Sequence, residues 1–362
     1  MKFTILGQGT AVPEQSIGRQ ESVEMVTQMF CQTDKERRVV PALYRKAGVK
    51  KRHSVILRER TPEDNGPTYN LMYKPVDRED RGPRLSERME VYEEHAHPLA
   101  VRAAAQAIEE SGLTSSDITH LVTVSCSGFF APGVDVKLIR ELGLPATTER
   151  AHVGFMGCQG AMNGMRVARG FAAAQPEANV LLCAVEICSI HYHYGWDPER
   201  VVANALFADG AAALVGSMRE DGGWPIQASG ACLIPDSQDA MTWRIRDHGF
   251  EMSLSPQVPK LIEEHLRPWL ETWLRAENLG LEDIQTWAVH PGGPRILSSV
   301  ASALELPKGA LDVSRGVLQE FGNMSSPTIL FIVDRLRAMD APLPCVALAF
   351  GPGLMAEAAL FA

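Results

Sequence analysis

Two halves of this sequence carry the same landmarks in the same order at one spacing. An apolar run over 120–125 ends at Cys126, and 164 residues later the run over 286–289 ends at His290. Cys158 opens a small-residue helical stretch, and Asn323, 165 residues on, stands before another. The strand-like run starting at Val180 recurs at Cys345, again 165 residues later. Three matches at one offset predict a duplicated α/β unit, with a loop around His191 inserted in the first copy. The halves divide as 1–217, which carries the cysteine, and 218–362, which carries the histidine and asparagine. Two related sheets with helices on and between them gather strand ends at one crevice, where α/β ligands collect. Cys158, His290 and Asn323 are therefore expected to meet in space.

The intervening chain reads as alternating elements. A strand over 2–6 leads to a turn over 7–9 and a helix over 23–30. Residues 58–84 are polar and proline-bearing, as in a surface excursion. A long helix over 85–111 ends at Gly112, and helices are expected over 134–142, 260–278 and 327–339. The Gly7-Gln8-Gly9 run lacks the third glycine of a dinucleotide fingerprint.

Composition narrows the function classes. A net charge of −9 with no face-wide basic stripe argues against nucleic-acid binding. One compact basic cluster (Arg45, Lys46, Lys50, Lys51, Arg52) reads as a solvated helix end or a polyphosphate contact. Seven cysteines without CxxC spacing fit reduced thiols rather than a disulfide framework. The apolar run over 3–6 is too short for a signal peptide, and no run reaches the roughly 18 residues of a membrane span. A cytoplasmic protein is expected.

The chemistry centres on Gly157-Cys158-Gln159-Gly160. A thiol as first residue of a buried helix feels the positive dipole end, which lowers its pKa from about 8.5 into the range of roughly 3.5–7.5. The flanking glycines expose the sulfur. Cys158 as nucleophile would hold an acyl group covalently. His290 would pair with the thiolate, and its N–H together with the Asn323 amide would bind an oxyanion. An Asn cannot act as a base, so the set favours decarboxylation, which yields a carbanion with no base required. The bland readings are a small core cysteine, a turn histidine before Pro-Gly-Gly, and a helix N-cap asparagine.

At these residues the sequence resembles the chalcone and stilbene synthases, the type III polyketide synthases of the thiolase superfamily. Gly157-Cys158-Gln159-Gly160 is similar to the nucleophile motif. Residues 205–212 (ALFADGAA) resemble the gatekeeper segment, residues 290–294 (HPGGP) and 322–326 (GNMSS) the histidine and asparagine motifs, and residues 350–353 (FGPG) the closing loop.

The resemblance implies a thiolase-like αβαβα fold, a homodimer, and acyl-coenzyme A and malonyl-coenzyme A as substrates, with no cofactor and no metal. It makes Cys158, His290 and Asn323 catalytic and puts Phe207 between cavity and pantetheine tunnel. Cys126, Cys188, His191, Met252 and Gly353 would line the cavity, with Cys126 similar to a second cavity cysteine of bacterial tetrahydroxynaphthalene synthases. Lys46 and Arg295 would meet coenzyme A phosphates. Ala131 stands where many members place a methionine that crosses the dimer.

An initiating ketoacyl synthase fed by malonyl carrier protein is the nearest rival. That family places an Asn two residues after its histidine, where this chain has Gly292. Two more distant rivals are a structural zinc site on Cys188, His191 and His193, and a catalytically inactive dimeric scaffold.

Overall fold

A computed structural model describes residues 1–57, 75, 77, 79–219 and 223–362. Most of the surface excursion expected over 58–84 thus lies outside the described residues.

Among the described residues nine strands form one sheet. At its middle, residues 3–5 of the Lys2–Ala11 strand pair antiparallel with residues 224–226 of Trp224–Leu233. Moving outward from this seam, the two halves repeat one pattern. Lys2–Ala11 is followed by antiparallel Asp209–Arg219, antiparallel Asn179–Ile187, then parallel His120–Ser125. On the other side Trp224–Leu233 is followed by antiparallel Met355–Phe361, antiparallel Cys345–Gly351, then parallel Thr286–Val289. The duplication is therefore physical, but the two expected sheets are joined. The inner edge strand of each half would otherwise leave backbone groups unpaired, and here each satisfies the other.

Alternation along the strands builds the layers. Val180, Leu182 and Ala184 face one way with Cys345, Ala347 and Ala349, onto the helices Gly160–Ala174 and Pro327–Ala338. Leu181, Cys183 and Val185 face outward onto the helix Leu85–Ser111. Val346, Leu348 and Phe350 face the helices Val258–Ala276 and Pro294–Ala303. The order is helix, sheet, central helix pair, sheet, helix: the five layers of the αβαβα arrangement. Strands covered on both faces read as unbroken apolar runs, which is why they stood out in the sequence.

Two local readings change. The first strand does not stop at Leu6; it runs through Gly7 and Gly9 to Ala11. A Cβ on Gly9 would lie 2.2 Å from the Ala103 carbonyl oxygen, so these glycines admit the helix Leu85–Ser111 rather than make a turn. The first helix is Arg19–Met29, and a second, Asp34–Lys46, follows behind a Thr33 cap. The strand Glu149–Gly154 forms the polar approach to Cys158.

Candidate active site

Cys158 sits in a single tight turn, Gly157–Gln159, between the edge strand and the helix Gly160–Ala174. Gly157 has φ +72°, and a Cβ there would meet Pro352 at 2.4 Å. A Cβ on Gly160 would meet Val124 at 2.9 Å. The glycines thus let the turn wedge between the closing loop and a strand of the sheet, and the Cys158 side chain reaches the hollow described below. The helix itself starts two residues after Cys158, so the sulfur is not its first residue.

The second half brings its two residues to this turn. Asn323 lies 165 residues from Cys158, and its Oδ1 and Nδ2 are each 4.0 Å from Sγ. The Ser325 N–H donates to Asn323 Oδ1 at 2.7 Å, which assigns the oxygen and leaves the NH₂ group as the available donor. His290 follows the strand Thr286–Val289, with its N–H donating to the Leu348 carbonyl at 2.8 Å. Cys158, His290, Asn323 and Phe207 line one hollow of about 400 Å³.

The charge state differs from the expectation. Burial pushes the Cys158 thiol up to about 11, against the pull of its contacts with Ser325 and Asn323. Burial lowers His290 to about 3. Neither ring nitrogen of His290 has a hydrogen-bond partner among the described residues. Burial thus favours a neutral thiol and a neutral imidazole over the anticipated ion pair. Desolvation outweighs the helix dipole because the sulfur is enclosed and stands before the helix start.

The family models for the N-terminal and C-terminal domains of chalcone and stilbene synthases match residues 1–218 and 225–362. The chain belongs to the chalcone and stilbene synthases. It is a type III polyketide synthase, an acyltransferase that forms carbon–carbon bonds. It is 31% identical to the alpha-pyrone synthesis polyketide synthase-like Pks18 of Mycobacterium tuberculosis, over 99% of this chain and 90% of that one. It is also 31% identical to 1,3,6,8-tetrahydroxynaphthalene synthase of Streptomyces peucetius subsp. caesius, over 96% of this chain and 90% of that one. The crystal structure of PKS-I from the brown alga Ectocarpus siliculosus superposes with a TM-score of 0.91 at 29% identity, covering 99% of this chain and 98% of that one. The tetrahydroxynaphthalene synthase of Streptomyces coelicolor A3(2) gives 0.86 at 29% identity, again over 99% and 98%.

A larger hollow of about 740 Å³ adjoins the first in this polyketide synthase, and Cys158, Phe207, Met241 and Met252 line both. Phe207 therefore stands at the junction. Cys126, Cys188 and His191 line the larger hollow, and Cys126 Sγ lies 3.1 Å from Ser325 Oγ. Gly353 does not reach the wall; its neighbour Pro352 does, while the Gly353 carbonyl accepts a bond from Ser237. Lys46 and Arg295 are exposed. Gly48 packs against Pro294, which brings their two segments together.

His191 is unfit as a zinc ligand, since both its ring nitrogens are already hydrogen-bonded, to the Ser127 carbonyl and the Phe250 N–H. Among the described residues no group of three or more His, Cys, Asp or Glu side chains is placed to hold a metal ion.

Three wall or support residues escaped the sequence reading. Trp243 lines the larger hollow, pinned by its Nε1–H donating to the Cys126 carbonyl at 2.8 Å. Glu186, fully buried, accepts from the backbone of Cys126 and Ser127 and from the hydroxyls of Ser127 at 2.6 Å and Ser326 at 2.5 Å. A carboxylate closing the apolar run NVLLCAVE was the available signal for it. Arg52 had been grouped with its solvated basic neighbours, yet it is buried and lines the same hollow.

Proposed function

We propose that Cys158 takes an acyl group from a coenzyme A thioester, extends it with malonyl units, and releases the chain after cyclisation. The observation that carries this reading is the approach of Asn323 to the Cys158 sulfur, with His290 in the same hollow. The thiol proton passes to His290 as sulfur attacks the starter carbonyl, and the coenzyme A thiol leaves with that proton. Malonyl-coenzyme A then loses CO₂, and the resulting enolate oxygen is held by the Asn323 NH₂ and the His290 N–H. Each such oriented donor is worth on the order of 3–4 kcal/mol in the transition state. The enolate carbon attacks the acyl carbonyl, Cys158 departs as thiolate, and it takes up a proton from solvent before the extended coenzyme A thioester is loaded in the next round.

Lys46 and Arg295, both exposed on neighbouring segments, would meet the phosphates of coenzyme A. No cofactor is required by these steps. A homodimer is supported by the half-exposed edge strand Glu149–Gly154 and by exposed Phe129 and Met156 beside it. Seven free cysteines support a reducing, cytoplasmic setting. Among the described residues no helix is long and apolar enough to cross a membrane. Aromatic or pyrone products fit the names of the relatives.

The test is purified enzyme with malonyl-coenzyme A and a panel of acyl-coenzyme A starters, read by mass spectrometry of products and of the Cys158 peptide. A parallel arm supplies malonyl carrier protein. An unacylated Cys158 peptide during turnover, or product from the carrier arm alone, rejects the reading.

A further inference from the structure

Arg52 lies on the short strand Lys51–His53, paired with Ser16–Gly18. Lys51 beside it faces solvent, whereas Arg52 is only 9% exposed. Among the described residues no carboxylate pairs with this guanidinium. A buried cation needs compensation, and here carbonyl dipoles supply it. Arg52 Nη1 donates to the Asn204 carbonyl and, at 3.1 Å, to the Phe207 carbonyl, while Nη2 donates to Ser22 Oγ at 3.3 Å. Asn204 lies in the last turn of the helix Pro198–Leu206, and Phe207 is the residue that ends it. Unsatisfied carbonyls and the negative dipole end gather at that point. Arg52 caps the helix from a distant part of the chain.

The cap fixes the position of Phe207, and Phe207 is tied in turn to Asn323. The Asn323 N–H donates to the Leu206 carbonyl and the Ala208 N–H to the Asn323 carbonyl, both at 2.9 Å, forming a bridge around Phe207. The Arg52 stem also lies against the turn before Asn323. A Cβ on Gly322 would come 3.2 Å from Arg52 Cγ. One side chain therefore braces both the residue at the junction of the hollows and the amide beside the nucleophile.

We propose that Arg52 is a positioning residue that holds Phe207 and Asn323 in register, so that malonyl decarboxylation is converted into carbon–carbon bond formation. The inference rests on the roles given above to Cys158, Phe207 and Asn323. When the register loosens, the enolate still forms but meets the acyl carbonyl in poor geometry and is protonated instead, releasing acetyl-coenzyme A.

The experiment compares wild type with Arg52→Met, Arg52→Lys, Phe207→Ala and the Arg52→Met/Phe207→Ala double variant. Acyl loading is followed by intact-protein mass, together with CO₂ released and product formed. Arg52→Met should load acyl within about twofold of wild type, while product per CO₂ falls on the order of 10- to 100-fold, the scale of an ångström-level misplacement. Arg52→Lys should recover part of that ratio, because it keeps the charge at the helix end but loses the planar fork. The double variant should lose less than the product of the two single losses, because part of the Arg52 effect passes through Phe207 and the rest through Asn323.

An unchanged ratio in folded Arg52→Met, or losses that multiply with Phe207→Ala, overturns the proposal. If Arg52→Met does not fold, Arg52→Lys decides it, a lowered ratio supporting and a wild-type ratio overturning. Cys158→Ala run alongside separates the two levels. Product from that variant sinks the covalent reading without touching the Arg52 ratio.

Discussion

The imidazole of His191 lies flat on the ring of Phe250, with centroids 4.2 Å apart and planes 15° apart. The Phe250 N–H donates to Nδ1 at 3.0 Å, so the proton of the neutral ring is on Nε2, which donates to the Ser127 carbonyl at 2.6 Å. Burial lowers the pKa of this ring to about 3. An unfolded histidine titrates near 6.5, so between those values the unfolded chain binds a proton that the folded chain excludes. Stability is therefore lost as pH falls below 6.5, by up to about 1.4 kcal/mol per pH unit from this residue. His191→Gln should flatten the acid limb of Tm against pH relative to wild type. Parallel acid limbs would rule out a neutral buried ring.

Cys158→Ala should abolish condensation while slow malonyl decarboxylation persists, because Asn323 and His290 remain to hold the enolate oxygen. Product mass and CO₂ release, measured together, check both halves of this statement. Unchanged product would exclude the covalent role.

With the thiol raised to about 11 and no imidazole bonded to it, free enzyme should react sluggishly with iodoacetamide near neutrality. The labelling rate of Cys158 should climb about tenfold per pH unit between pH 7 and 10, following the thiolate fraction. A rate that levels off below pH 7 would instead mean a thiolate–imidazolium pair at rest.

Trp243 closes part of the larger hollow and is anchored to the Cys126 carbonyl. Trp243→Ala should enlarge the space beside Cys158 and shift products toward longer chains or bulkier starters, at a stability cost of about 3–5 kcal/mol if the wall does not collapse. Product masses identical to wild type across the starter panel would show that this wall does not limit the chain.

Glu186 gathers donors from Ser125, Cys126, Ser127 and Ser326 in the interior. Glu186→Gln turns one acceptor oxygen into an NH₂ group facing other donors. A loss of about 1–3 kcal/mol is expected, the cost of leaving buried polar groups unsatisfied. Denaturant melts check it, and a midpoint equal to wild type would show that the hydroxyls simply reorient.

The duplicated order of elements and the meeting of Cys158, His290 and Asn323 in one hollow were legible in the chain itself. Strands sandwiched between helices must be apolar along their whole length, and a thiol between glycines at a turn leaves a local mark. The constant offset survives because it records spacing, which does not depend on side-chain identity. What only the tertiary structure decided are features that depend on partners far away in the chain. Gly7 and Gly9 read as a turn until the helix Leu85–Ser111 is seen lying against them. Arg52 reads as one more surface cation until the end of the helix Pro198–Leu206, some 150 residues later, supplies its carbonyls. The protonation of Cys158 and His290 belongs to the same class, since it is set by how completely the folded chain excludes water from them. A pattern within a short stretch fixes what that stretch can become; burial and charge compensation are properties of the assembled neighbourhood, which no single stretch contains.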